Sequence, residues 1–270
     1  MTIGCTCSAI AAGEFCVYYQ PRFSMKRRTP CAAEALIRWP ARPELSPEVF
    51  VPEMERNGHI EALTMFVAEA VCQHIHNLRS SLGFSPKIAI NVPPALLSDK
   101  SFLARMCDLV AAYDVSPELI EIEITESSFA PDISALVSSA ETLRSKGFGV
   151  ALDDFGTGFS GLRYLDLIPA SIIKMDRHFV SGLGKRKTCD MIVASVARMA
   201  RETGLIAVAE GVETQAQLDH VTALGYNEVQ GFLLGHPMPF VQFLSFLAGH
   251  RAQQQKAGTA QPHILLPAGC

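Results

Sequence analysis

Short apolar runs rich in Ile, Val and Ala alternate along the chain with longer stretches whose apolar residues recur every three or four positions. The first pattern reads as strands and the second as amphipathic helices. Strands are expected over residues 15–21, 33–39, 87–92, 119–126, 147–154, 171–176, 205–213 and 228–233. Helices are expected from Ser46, as N-cap with Pro47 in the first position, and over 61–78, 99–113, 133–146, 187–203, 215–224 and 239–250. His74 and His76 fall on the second of these helices, their rings on different faces, and both read as surface histidines. Strand and helix alternate throughout, which is the signature of a parallel α/β sheet.

The pattern also bounds the domain. Residues 1–13 are small and unpatterned and read as a leader with little order, while from Arg251 the composition turns polar, through Gln253-Gln-Gln to Pro262 and Pro267, and reads as a disordered tail. Residues 14–250 are left as one domain, a length that suits a TIM-like (β/α)8 barrel of roughly 250 residues. With 49% hydrophobic residues a large core is available, and a net charge of −4 argues against a surface that coats a DNA or RNA polymer. No run approaches the roughly 18 apolar residues of a membrane span, and the N-terminus lacks a basic segment followed by a hydrophobic one, so a cytoplasmic protein without a membrane partner is expected. The 8 cysteines are scattered, as suits reduced thiols, although Cys5-x-Cys7 could hold a metal.

Candidate chemistry follows from where the polar residues fall. Glu34, Asn91, Glu123, Asp153, Asp154, Lys174, Glu210 and Gln230 each lie at or near the C-terminal end of a predicted strand, the two aspartates sharing one. In a parallel barrel those ends meet at one face, where barrel active sites sit. A single solvated acid would be unremarkable, but uncompensated charges gathered in one buried place cost several kcal/mol each. Five carboxylates converging with one lysine call for cations, and hard oxygen ligands suit Mg²⁺ or Mn²⁺. The set suits two divalent ions: Glu34, Asn91 and Glu123 for the first, Asp153 as bridge, Asp154 and Glu210 for the second. Beside two cations the charged form of Lys174 would be disfavoured, so it could position or help deprotonate an attacking water. Arg38 shares a strand face with Glu34 and could take a substrate phosphate. Gly156-x-Gly158-x-x-Gly161 also matches a dinucleotide-binding fingerprint, with Asp176 about where its ribose acid belongs. Against that reading, Asp153 and Asp154 would face the pyrophosphate, and the crossover before Pro169 is too short.

At these residues the chain resembles the EAL-domain cyclic di-GMP phosphodiesterases. The resemblance runs from about Phe15 to Leu247 and is carried by Tyr19-Gln-Pro, Glu34-Ala-Leu-Ile-Arg38-Trp, Asn91, Glu123-Ile-Thr-Glu126, Asp153-Asp-Phe-Gly-Thr-Gly158, Lys174-Met-Asp176, Glu210-Gly-Val-Glu213 and Gln230-Gly. It implies a barrel with one reversed strand, dependence on Mg²⁺ or Mn²⁺, inhibition by Ca²⁺, and cleavage of cyclic di-GMP to linear pGpG. It also implies catalytic roles for Lys174, Glu126 and Asp176, and substrate contacts from Gln20, Leu36, Arg38, Glu213 and Gln230. Glu126 would steady the 153–161 loop near a homodimer interface. Met54 and Arg56, Pro93 and Ser171 depart from the family pattern without removing a metal ligand. A competing reading keeps the same cleft as a non-catalytic cyclic di-GMP receptor or a protein-interaction module. With no room for a cyclase or sensory domain in these residues, regulation would come through dimerisation, expression or a separate regulatory protein.

Overall fold

A computed structural model of the protein describes residues 6–125, 132–158 and 161–257. The strands are β1 Cys16–Ser24, β2 Thr29–Arg38, β3 Lys87–Asn91, β4 Ile120–Thr125, β5 Gly149–Phe155, β6 Ile172–Met175, β7 Ile206–Ala209, β8 Glu228–Gln230 and the two-residue β9 Met238–Pro239. Strands β2 to β8 run parallel in sequence order, and β1 closes the ring by pairing antiparallel with both β2 and β8. This is the expected closed (β/α)8-type barrel, and its reversed strand is the first. Reversal follows from the connection: only a tight turn joins β1 to β2, and a parallel pair needs a crossover of a dozen or more residues.

The helices are α1 Thr6–Ala11, α2 Pro47–Arg56, α3 Ile60–Leu82, α4 Pro94–Leu97, α5 Lys100–Ala112, α6 Ile133–Ser145, α7 Gly161–Leu167, α8 Arg177–Ser181, α9 Lys187–Thr203, α10 Gln215–Leu224 and α11 Phe240–Ala257. Two large apolar clusters lie between this ring and the barrel, one under α3, α5 and α6, the other under α9 and α10. No described helix is long and apolar enough to cross a membrane. The described cysteines, Cys16, Cys31, Cys72, Cys107 and Cys189, are free thiols. Cys5 and the side chain of Cys7 lie outside the described residues.

Several local expectations are corrected. The leader carries α1, whose Ala9 packs with Phe15, Trp39, Phe50, Met54 and Leu63 in a separate small cluster. The last helix runs past residue 250 to Ala257, because Gln, Lys and Ala are good helix formers and composition alone hid the continuation. Ser46 holds the N-cap position of α2 with extended backbone but makes no capping bond. His74 is half-buried rather than free on the surface. It stacks on Phe240 with ring centroids 3.8 Å apart and shares a 2.6 Å hydrogen bond between its Nδ1 and the Tyr19 hydroxyl, and burial lowers its pKa to about 4. His76 is exposed as expected.

The barrel interior is layered. At its lower end, by the strand N-termini, fully buried Arg22 pairs with Glu121 and, at 2.7 Å, with Glu228. Lys87 adds a contact to Glu121 at 3.7 Å. A Cβ on Gly149 would stand 2.7 Å from Glu121 Cγ, so that position has to be glycine for the acid to fit. Above lies a small apolar plug of Ala151, Ile172, Val208 and Ile206. The acidic residues singled out above occupy the upper end. Replacing Arg22 by Met leaves Glu121 and Glu228 buried without their main partner, and unfolding in urea should report a loss of about 3–5 kcal/mol.

Candidate active site

Successive strands each deliver an inward-facing residue to one layer: Gln20 from β1, Glu34 from β2, Asn91 from β3, Glu123 from β4, Asp153 from β5, Lys174 from β6 and Gln230 from β8, with Glu210 just beyond β7. Lys174 Nζ lies 2.5 Å from Glu123, 2.7 Å from Glu210, 3.0 Å from Asp153 and 3.9 Å from Glu34. Asn91 Nδ2 donates to Glu34 Oε1 at 2.8 Å, and Gln230 Nε2 donates to Glu34 Oε2 at 2.7 Å. The adjacent aspartates are brought together by an irregularity. On a regular strand Asp153 and Asp154 would point to opposite faces. Between Leu152 and Phe155 the register of β5 against β6 shifts, so the two aspartates oppose Lys174 alone, as in a bulge. Asp154 there adopts φ +53, a left-handed conformation that costs a non-glycine residue about 1–2 kcal/mol.

These contacts separate the protonation behaviour of the acids. Burial alone would raise Glu34, but Lys174 and the amides of Gln230 and Asn91 outweigh it and hold its pKa below the usual range. Burial raises Glu123 well above that range against the pull of Lys174, and raises Glu210 to about 8 for the same reason. Asp154 rises to about 6, through burial and then the charge of Asp153. Burial would lower Lys174, yet the surrounding carboxylates hold it well above its ordinary value. That is the reverse of the direction expected for a lysine beside two cations, because here its neighbours within reach are anions.

The donor set fits divalent cations. Ligand oxygens of Glu34, Glu123 and Asp153 lie within 4.8 Å of one another, as do those of Asp153, Asp154 and Glu210, so Asp153 is common to both groups. Glu123 Oε2 is buried without a hydrogen-bond donor, an arrangement that a cation would complete.

Two cavities meet at this layer. One, of about 810 Å³, is the mouth of the barrel and is lined by Glu34, Asp153, Asp154 and Glu210 together with Asp176 and Glu213, with Glu123 buried beneath. The other, of about 450 Å³, lies between the barrel rim, α2 and α3, and is walled by Leu36, Arg38, Val51, Pro52, Leu63 and Val67 beside Asn91 and Asp154. Gln20 and Gln230, expected as substrate contacts, line neither. Gln20 accepts from Gln230 at 3.2 Å and donates to the Gly235 carbonyl, so the two amides form a buried brace for Glu34. Asp176 caps α8 through the His178 amide at 2.9 Å. Glu126 lies outside the described residues. Glu48, Thr125, Arg177 and His178 also line the mouth and were not anticipated. Arg177 and His178 directly follow Asp176, a proximity that could have flagged them, whereas Glu48 reaches the mouth from α2 with no signal in the sequence. The family departures spare the layer: Met54 is buried in the small cluster under α2, Arg56 pairs with Glu53, Pro93 precedes α4, and Ser171 bonds the Val150 backbone.

The chain matches the EAL domain model over residues 7–237 and belongs to that family. It is 33% identical over 242 residues to the bifunctional diguanylate cyclase/cyclic di-GMP phosphodiesterase MucR of Pseudomonas aeruginosa, covering 89% of this chain and 35% of that protein. It is 34% identical over 247 residues to the probable cyclic di-GMP phosphodiesterase PdeB of Escherichia coli, covering 90% and 46%. The chain thus spans less than half the length of these relatives. Among solved structures, the PaMucR phosphodiesterase in complex with c-di-GMP superposes with a TM-score of 0.81 at 32% identity, covering 88% of this chain and 97% of that one. A calcium and c-di-GMP complex of BlrP1 from Klebsiella pneumoniae superposes at 0.74 with 26% identity, covering 84% and 56%.

A pH dependence follows for the metal-free protein. Asp154 and Glu210 have folded pKa values raised from 3.8 to about 6 and from 4.5 to about 8, so the folded state holds more protons than the unfolded one in between. Stability contributed by these groups therefore falls as pH rises from about 4 to 8. Thermal melting in divalent-free buffer should show Tm declining between pH 5.5 and 8, and Mn²⁺ added at pH 8 should restore it; a Tm indifferent to both would refute the assignment.

Proposed function

We propose that the protein hydrolyses cyclic di-GMP to linear pGpG using two divalent ions, Mg²⁺ or Mn²⁺. The observation that carries this reading is Asp153, shared between two carboxylate triads around one lysine. Glu34, Asn91 and Glu123 would hold the first ion and Asp154 with Glu210 the second, Asp153 bridging. Bound there, the ions would supply an activated water and charge stabilisation at the phosphoryl oxygens.

The chain's own residues then bind and orient. The partly apolar cavity beside Leu36 suits a guanine base. Arg38, whose guanidinium carbon lies 5.5 Å from the centre of the Tyr18 ring, stands at its edge for the phosphate. Glu213 and Asp176 line the mouth, where the second half of the dinucleotide would lie. Lys174 draws four carboxylates together and would position the attacking water or help to deprotonate it. Water attacking in line at phosphorus would form a new P–O bond as one P–O3′ bond breaks, a proton from the water passing to the departing oxygen, which leaves a 3′-hydroxyl on one guanosine and a 5′-phosphate on the other, as in pGpG. Glu126 is proposed to steady the loop after Asp154. Ca²⁺ is expected to inhibit, because its bonds of about 2.3–2.6 Å and loose geometry would spread a site shaped for ligands at about 2.0–2.1 Å. The relatives' names support the substrate, and the acids support the ions.

A homodimer belongs to the same proposal. Leu162 on α7, just past the glycine-rich turn, is 68% exposed, and a second subunit packed there would restrain the loop that carries Asp153 and Asp154.

Purified protein with Mg²⁺ or Mn²⁺ should convert cyclic di-GMP to pGpG, read by chromatography, and Glu34→Ala or Asp153→Ala should lower kcat/KM by at least about a hundredfold in a folded protein. Binding without turnover in either metal would instead support the receptor reading. Sedimentation across a dilution series should show a dimer that Leu162→Asp dissociates, with specific activity falling in step; constant activity through dissociation would refute the coupling.

A further inference from the structure

The lower end of the barrel, opposite the acidic mouth, carries a third, partly open cavity of about 430 Å³. Arg27 reaches it from the β1–β2 turn, Thr29, Pro30 and Cys31 from the start of β2, and Phe84, Ser85 and Pro86 from the segment entering β3. Leu247, His250, Arg251 and Gln254 of α11 close the remaining side. Its charge is one-sided. Arg27 and Arg251 are cationic, and among the described residues no carboxylate lines the cavity. The acids nearest in the barrel, Glu121 and Glu228, are already bound to Arg22. The remaining titratable groups add no negative charge: burial pushes the Cys31 thiol up to about 12 and lowers His250 toward its neutral form. The Arg251 guanidinium carbon lies 5.2 Å from the centre of the Phe84 ring, a stacked pose that fixes its direction before any ligand arrives. Pro30, Pro86 and Leu247 give stiff apolar walls, and Thr29 and Gln254 offer uncharged hydrogen-bonding groups.

Two arginines beside apolar walls and no acid make a site for an anion that carries a flat apolar body, and the volume falls within the range of small-molecule pockets. We propose that this cavity binds a nucleoside 5′-phosphate, with Arg27 and Arg251 taking the phosphate and Pro30, Pro86 and Leu247 packing on the base. The site lies at the opposite end of the strands from the acidic layer and uses none of its residues.

Calorimetric titration of the full chain with 5′-AMP in divalent-free buffer tests this, since the acidic mouth repels a phosphate when no cation is present. The expected result is binding to wild type and to Glu34→Ala with equal affinity, no binding of adenosine, and affinity lowered at least about tenfold in Arg27→Gln and in Arg251→Gln. Raised salt should weaken the binding. Failure to bind at millimolar AMP, or unchanged affinity in the double arginine variant, would overturn the proposal. Loss of binding in Glu34→Ala alone would also overturn it, by placing the nucleotide at the catalytic mouth. Because the readout is binding without divalent ions, none of these outcomes depends on whether cyclic di-GMP is hydrolysed.

Discussion

One ammonium among four carboxylates is the constraint on which the upper end of the barrel depends. Lys174 is fully buried, where a lone charge would be prohibitively placed, and it persists because Glu123, Asp153 and Glu210 approach within 3.0 Å. The reverse also holds: without the lysine the acids would repel one another strongly enough to take up protons or move apart. Yet one positive charge cannot balance the five acids of the layer. The surplus is distributed unevenly. Glu34, braced by two amides, keeps its charge, while Glu123, Glu210 and Asp154 are pushed toward their neutral forms. A layer arranged in this way has oxygen ligands in place and an excess of acids that cations could offset.

The backbone contributes through β5. A regular strand cannot place consecutive residues on one face, so a site that uses both Asp153 and Asp154 requires a break in the ladder. The register shift between Leu152 and Phe155 provides it, together with the left-handed backbone of Asp154. Such strain persists only where the surroundings over-determine the conformation. Here a hydrogen bond from the Asp154 amide to Asp153 Oδ1 at 2.9 Å, the Thr157 hydroxyl bonded to the Asp154 carbonyl, and resumed pairing of Phe155 with Met175 hold it on both sides. Gly231 does comparable work beyond β8. A Cβ there would stand 2.1 Å from the Val212 carbonyl oxygen, so glycine allows the close approach in which the Val212 amide bonds the Gln230 carbonyl and sets the amide brace for Glu34.

The alternation of strands and helices was legible because buried parallel strands leave unbroken apolar runs, and the acids at their ends stood out against those runs. The family motifs pointed to the same residues. What stayed hidden depends on contacts between distant segments. His74 looks like any exposed helical histidine until Tyr19 and Phe240, 55 residues before and far beyond it, close around its ring. Gln20 and Gln230 could be identified as polar residues in the barrel, but their role as a brace requires β1 to close the ring against β2 and β8, which no local pattern announces. Helix limits failed for a simpler reason. Polar glutamines after residue 250 satisfy both a tail and a solvated helix, and only the chain's packing distinguishes the two.

The barrel's two charged layers show how to separate structural from functional buried charge in this fold. At the lower end Arg22 faces Glu121 and Glu228 with Lys87 nearby, so two cations meet two acids and the layer is balanced by the chain itself. At the upper end five acids face Lys174, with Asp153 counted in two ligand groups and a buried oxygen of Glu123 lacking a donor. Both layers are buried and both hold paired charges, so burial and ion pairing alone would rank them equally as candidate sites. What distinguishes them is the remainder. A balanced layer has nothing left to bind and acts as a polar plug, whereas an unbalanced one must recruit charge from solution. The apolar plug of Ala151, Ile172 and Val208 lies between them and keeps the unbalanced upper layer apart from the balanced lower one.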